Sequence, residues 1–182
     1  RHLALGCQSL LGLAVHPLGR FCSRWLRDLR TPERLDRGLV LVLPGIEGES
    51  FINHSIARGL ADGGVEAAIE IFDWTTGIIV LSVYHLRAQR RQQQQVDRLL
   101  ARIRDYRREF PGRPVHLVGH SGGAAMSVMT LERLAPEEAV TSAVLLQAAL
   151  SPAYELSRAL ARTGQGLWNF SSLYDVFFLY VG

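Results

Sequence analysis

The sequence contains no lysine, and its 20 basic residues are all arginine. The missing lysine excludes a phosphate-binding P-loop, whose lysine contacts the phosphates. With only Cys7 and Cys22 present, the fold is not a small domain held by several disulfides. No apolar run approaches 18 residues, which excludes a membrane-spanning helix within these 182 residues. The 48% hydrophobic and 20% charged residues that remain are typical of one globular domain.

The net charge is +3, and eight of the arginines fall between residues 87 and 108 together with five glutamines. A nucleic-acid surface would gather its basic residues on one face with aromatic residues between them. This segment instead favours the solvated face of a helix, so we expect no nucleic-acid partner. The use of arginine alone is typical of a GC-rich genome.

Residues 1–37 are predicted to be a signal or anchor remnant followed by an amphipathic docking helix. Leu3–Ser9 resembles the end of a bacterial lipoprotein signal, in which Cys7 would carry the lipid, although Ala4 and Leu5 match the motif only loosely. The alternative is that Cys7 is an ordinary thiol. Apolar residues from Leu18 to Leu29 recur at helical spacing after Pro17, and this stripe either docks on the domain, which we favour, or lies on an anionic membrane. The predicted location is accordingly the bacterial cell envelope with peripheral membrane attachment, and the alternative is the cytoplasm.

Residues 38–182 alternate between buried strands and helices. The predicted strands are Leu39–Pro44, Val65–Phe72, Val115–Gly119, Val140–Leu146 and Leu167–Ser171. Helices are predicted after Ser50, along the stripe from Val96 to Phe110, after Gly123, and from Ser151 and Pro152 to Gly164. The fold class is therefore α/β, with a doubly wound, mostly parallel sheet.

One motif points to chemistry. Gly119-His120-Ser121-Gly122-Gly123 matches Gly-x-Ser-x-Gly, and it stands between a predicted strand and a predicted helix. A serine at such a sharp turn has a strained backbone, so the residues two before and two after it must lack bulk. The N–H of Gly122 and the helix N-terminus can stabilise an oxyanion there. Ser121 itself occupies the second glycine position of a dinucleotide fingerprint, which excludes that interpretation.

The motif and the order of elements over about residues 38–176 resemble the α/β-hydrolase superfamily, specifically its serine esterases and lipases. The resemblance implies that Ser121 is the nucleophile and that the loop Pro44–Gly48 supplies a second oxyanion donor, the N–H of Ile46. This loop can also be read as an ordinary strand-to-helix turn. The resemblance further implies a catalytic acid after the last predicted strand, at Asp175, with Asp73 as a rival that more simply caps a turn.

The family's general base follows its last strand, but all six histidines precede Asp175. We therefore expect the base to lie outside this chain. The resemblance implies that the chain is a hydrolase core that is truncated at its C-terminus and lacks the last strand. His54, His85, His116 and His120 are expected to be structural. Sequence beyond residue 182 would test this expectation.

The predicted function is that of a serine hydrolase acting by acyl transfer to Ser121, without metal or organic cofactor. The apolar segment Gly77–Tyr84 suits an acyl chain, so the expected substrate is an ester or thioester with an apolar acyl group. That segment can equally be a buried turn of helix. The alternative function is a non-catalytic hydrolase-fold protein that binds or scaffolds at the cell envelope.

Overall fold

The computed structural model of the chain describes residues 24–75 and 89–171. Within these ranges one parallel sheet is built from β1 Leu39–Leu43, β2 Ala68–Ile71, β3 Val115–His120, β4 Ser142–Leu146 and β5 Leu167–Phe170. The helices are α1 Arg24–Asp28, α2 Pro32–Leu35, α3 Phe51–Asp62, α4 Gln89–Glu109, α5 Gly122–Arg133 and α6 Ser157–Leu160. Strands and helices alternate along the chain, which confirms the predicted α/β class with a parallel sheet.

The strand order is β2-β1-β3-β4-β5. The chain therefore builds outward from β1 in one direction to β2, and then returns to place β3 on the other side of β1. Register pairs Leu39 with Val115 and Leu43 with Gly119, so β1 and β3 end side by side. In open parallel sheets, ligands bind outside the carboxyl ends of the strands at the point where the order reverses. The residues just after Leu43 and His120 lie at that point.

Both faces of the sheet carry helices. The side chains of Leu39, Leu41 and Leu43 are fully buried on one face, against α4 and α5. Val40 and Val42 alternate to the other face, where they belong to a second core cluster with α3. Each such buried aliphatic side chain contributes about 1.5–3 kcal/mol to folding. A strand buried on both faces has no polar side, which explains the unbroken aliphatic sequence of β1.

Three arginines of α4, Arg102, Arg104 and Arg108, pair with carboxylates of the same chain. Arg102 makes a two-pronged contact with Glu70 at 2.8–3.2 Å. Arg104 donates to both carboxylate oxygens of Glu138, and these hydrogen bonds lower the pKa of Glu138 to about 2. Such pairs are typical of a solvated helix face, which is the interpretation that the sequence favours for this segment.

The predicted helix from Ser151 to Gly164 is wrong. The Tyr154 N–H donates to the Ser151 carbonyl at 2.9 Å, which closes a turn instead of opening a helix. Helix α6 begins only at Ser157, whose N–H and hydroxyl both donate to the Glu155 carboxylate, and it lasts one turn. The chain then runs beside the residues that precede β4, because the Gly164 N–H donates to the Val140 carbonyl.

Two strands begin later than predicted. Strand β2 begins at Ala68 because the Arg34 guanidinium donates hydrogen bonds to the carbonyls of Val65 and Ala67, both at 3.0 Å. Strand β4 begins at Ser142, and Val140 forms only an isolated bridge with Thr163. Strands β1 and β5 each end one residue early, at Leu43 and Phe170, whereas β3 extends one residue further to His120.

The end of the predicted docking helix lies against the sheet. Leu29 is buried in the second core cluster with Val40 and Ile69, and Trp25 packs against that cluster. The described part of this stripe therefore docks on the domain, as the sequence favours. Cys7, the segment Gly77–Tyr84 and Asp175 lie outside the described residues. None of the helices in the described ranges is long and apolar enough to cross a bilayer.

Candidate active site

Ser121 occupies the turn between β3 and α5. Its backbone angles are φ 52° and ψ −117°, a left-handed conformation that residues with a side chain rarely adopt. The Ser121 N–H donates to the Leu146 carbonyl at 2.9 Å, and its own carbonyl accepts from the Ala149 N–H at 3.2 Å. Strain of this kind costs about 1–3 kcal/mol and persists only where the surroundings hold it. Here the end of β4 holds the serine at the carboxyl edge of the sheet.

The two outer glycines of the motif are required by backbone contacts. A Cβ on Gly119 would lie 2.5 Å from the Cα of Ala124, and one on Gly123 would lie within 2.1 Å of the Leu43 carbonyl oxygen. Both distances are far below a van der Waals contact. The expectation that these positions must lack bulk is confirmed, and the reason is the close passage of β1 and α5 on either side of the turn.

The loop after β1 lies beside the turn of Ser121. The Gly48 N–H donates to the Gly45 carbonyl at 3.1 Å, which places Ile46 within a tight turn. A methyl group on Gly122 would stand 3.3 Å from Cγ2 of Ile46 and 3.2 Å from Cζ2 of Trp74. The Gly122 N–H belongs to the first turn of α5, so it has no acceptor within the helix. The structure thus brings Gly122 and Ile46, the two residues assigned to oxyanion binding, next to each other.

The carboxylate of Glu47, which is largely shielded from solvent, accepts hydrogen bonds within this loop. One oxygen of Glu47, Oε1, accepts from the Gly45 N–H at 3.1 Å and from the Asn53 amide at 3.4 Å. It also lies 3.4 Å from Nδ1 of His120, although without the alignment of a hydrogen bond. Burial acts to raise the pKa of Glu47, but His120, the backbone at Glu47 itself and Asn53 together bring it below the ordinary value. Glu47 is therefore a carboxylate at neutral pH.

Of the two candidate acids, Asp73 lies within the described residues. Asp73 follows β2 and accepts from the Thr75 N–H at 2.9 Å and from the Thr75 hydroxyl at 2.7 Å. Its other oxygen accepts from the Glu49 N–H at 3.3 Å. Asp73 thus caps a turn and ties it to the loop after β1, which is the simpler role that the sequence suggests. The catalytic assignment of Asp175 stays a prediction.

Two of the three described histidines are hydrogen-bonded to nearby side chains. His54 on α3 lies 2.9 Å from Glu49, and His116 in β3 lies 2.7 Å from the hydroxyl of Ser142. Burial lowers the pKa of His116, so its ring is neutral at pH 7. Within residues 24–75 and 89–171, no histidine is hydrogen-bonded to Ser121.

Trp74 and Glu47 are site residues that the sequence does not reveal. The Trp74 indole N–H donates to the Pro44 carbonyl at 2.6 Å, and its ring is 2% exposed. Both residues act on the loop between β1 and α3, and Trp74 reaches it from the end of a different strand. No local pattern reports such contacts, because they depend on which strand ends the sheet places together.

The arrangement suits attack by a hydroxyl on a carbonyl carbon. Ser121 stands at the N-terminus of α5, where the first backbone N–H groups and the helix dipole favour developing negative charge. It also stands at the point where the strand order reverses. A serine hydroxyl and a helix N-terminus are therefore adjacent at the edge of the sheet that commonly carries ligands.

Comparison with models of known protein families gives no match, and a search of curated proteins finds no similar one. The function is accordingly inferred from the residues of this chain.

Proposed function

We propose that the chain is the core of a serine hydrolase of the carboxylesterase or lipase type, a member of the α/β-hydrolase superfamily. The observation that carries the proposal is the left-handed Ser121 between β3 and α5, with the loop after β1 packed against Gly122. Strained residues concentrate at functional sites. A strained residue without a function would readily be replaced by glycine, which adopts the same backbone conformation without strain.

In the proposed reaction the Ser121 hydroxyl oxygen attacks the acyl carbonyl carbon, and its proton passes to a histidine base. The oxyanion of the tetrahedral intermediate accepts hydrogen bonds from the backbone N–H groups of Gly122 and Ile46. Collapse of the intermediate breaks the bond to the leaving alcohol or thiol, which takes the proton from the histidine. Water, activated by the same base, then releases the acid and regenerates Ser121.

The base is the histidine that the resemblance expects after the family's last strand, and Asp175 would orient it. His54, His116 and His120 are assigned structural roles because each lies against another side chain. The substrate is an ester or thioester with an apolar acyl group, for which Gly77–Tyr84 would form the wall. Attachment to the cell envelope through a lipid on Cys7 belongs to the same proposal, and loss of palmitate incorporation in Cys7→Ser would support it.

Hydrolysis of p-nitrophenyl esters by the product of the whole gene tests the activity. We expect turnover that rises with acyl length from acetate to octanoate and falls at least 1,000-fold in Ser121→Ala. The matched control is Ser55→Ala, an exposed serine on α3, which should keep full activity. A folded protein that hydrolyses none of these esters, nor the matching thioesters, would favour the non-catalytic scaffold.

A further inference from the structure

The contact between Glu47 and His120 joins the two residues that flank the proposed reacting groups. Glu47 directly follows Ile46, whose N–H is a proposed oxyanion donor, and His120 directly precedes Ser121. Their side chains meet at 3.4 Å between Oε1 and Nδ1. The length of this contact therefore bears on the distance between the oxyanion donor and the nucleophile.

Both partners are shielded from solvent, since their side chains are only 11% and 15% exposed. The other described contacts of Glu47, with Gly45 and Asn53, hold its carboxylate within the loop and against α3. The contact with His120 is the one that crosses to the strand of the nucleophile. A carboxylate and an imidazole nitrogen in such a shielded place interact more strongly than in water.

The Nδ1 atom of His120 is buried and has no hydrogen bond within the described part of the chain. A buried polar atom without a hydrogen bond costs free energy of folding unless it finds a partner. Oε1 of Glu47 lies 3.4 Å from this atom, and a reorientation of the two side chains that aligns them would make a hydrogen bond. Contacts at active sites are often long in the free enzyme and tighten when the transition state forms.

We propose that Glu47 and His120 are a positioning pair, which sets the loop Pro44–Gly48 at the distance from Ser121 that oxyanion binding requires. The inference rests on the proposed hydrolase function. The pair touches neither substrate nor the reacting atoms, and it acts through Ile46 and Ser121. Since a small misplacement of oxyanion donors affects the transition state more than the bound substrate, its loss lowers kcat and leaves KM almost unchanged.

The test compares His120→Ala with His120→Asn, in which the Asn amide can donate from nearly the place of Nδ1. In each variant, kcat is divided by the fraction of protein whose serine reacts with a fluorophosphonate. We expect this kcat to fall by about 30–100-fold in His120→Ala and to lie within about 5-fold of the unaltered protein in His120→Asn. KM should change less than 3-fold in both variants. The matched control is His116→Ala, on the same strand but bonded to Ser142, which should leave kcat unchanged.

Glu47→Ala tests the pair from the loop side and replaces His120→Ala if that variant does not fold. It should give at least the loss of His120→Ala, because it also removes the hydrogen bonds to Gly45 and Asn53. Adding His120→Ala to Glu47→Ala should lower kcat little further, because the contact that the two residues share is already gone. The inhibition constant of a trifluoromethyl ketone, which forms an oxyanion on the serine, should rise in proportion to the loss of kcat/KM. Normal kcat in both His120→Ala and Glu47→Ala, with Ser121 still reactive, would overturn the inference alone. An unreactive Ser121 in the unaltered protein would overturn the proposed function and this inference together.

Discussion

A side chain on Gly123 would place its Cβ 2.1 Å from the carbonyl oxygen of Leu43, so the N-terminus of α5 and the end of β1 are in direct backbone contact. We expect Gly123→Ala to lower the free energy of unfolding by about 3 kcal/mol, because neither backbone can move aside without breaking the sheet. Urea denaturation followed by circular dichroism measures the change.

Gly59→Ala is the control for that substitution. Gly59 lies within α3, and a Cβ there would meet nothing within 4 Å. The replacement should raise the free energy of unfolding by about 0.5–1 kcal/mol, since alanine favours a helix over glycine. Equal stability of the two variants would show that Gly123 is not confined by Leu43.

The strain at Ser121 predicts an inverted preference between glycine and alanine. Glycine adopts φ 52° without steric cost, so Ser121→Gly should be more stable than Ser121→Ala by about 1 kcal/mol. At exposed Ser55 on α3 the order should reverse, with the glycine variant about 1 kcal/mol less stable than the alanine variant. Thermal melts of the four variants decide this, and the same order at both positions would mean that Ser121 carries no strain.

Gly122 should tolerate a methyl group in the fold but not in the reaction. The added Cβ would stand 3.2–3.3 Å from Trp74 and Ile46, which is tighter than an ordinary contact, so the loop after β1 must shift by a few tenths of an ångström. We expect Gly122→Ala to stay within about 1 kcal/mol of the unaltered stability and to lose about 10-fold in kcat. An unchanged kcat would place the oxyanion site elsewhere.

The partly buried ring of His116 predicts a loss of stability on acidification. Burial lowers its folded-state pKa below the ordinary value of 6.5, so the unfolded chain binds the proton first as the pH falls. The contribution is complete above pH 6.5 and is lost as the pH falls from there through the folded-state pKa. His116→Asn should therefore reduce the slope of unfolding free energy against pH between 7 and 5, and an identical slope would mean that His116 titrates normally.

Much of this fold can be predicted from the sequence, because the central strand β1 is buried on both faces as an unbroken aliphatic run and the longest helix has one apolar stripe. Leu39–Leu43 and the helical stripe from Val96 onward show this directly. The turn at Ser121 is also predictable. Glycine is required at 119 and 123 because the backbone passes too close there for a Cβ, as happens wherever a strand turns sharply into a helix. The helix after Ser151 was not predictable in its length, because Glu155 competes as the capping group.

The candidate site is less predictable than the fold. Ser121 and Gly122 stand in one motif, but the contact of Glu47 with His120 and that of Trp74 with Pro44 join residues from different strand ends. Such contacts follow from strand order, which places β1 between β2 and β3. The spacing of residues along the sequence does not reveal the order of the strands in the sheet.

The nucleophilic role of Ser121 is tested most directly by treating the product of the whole gene with a fluorophosphonate and locating the adduct by peptide mass spectrometry. We predict one adduct per chain, on the peptide containing Ser121, and none in Ser121→Ala. Full labelling of Ser55→Ala under the same conditions confirms that the probe reads the nucleophile rather than any serine. A folded, unlabelled protein, or an adduct on a different residue, would contradict the assignment of Ser121 as the nucleophile.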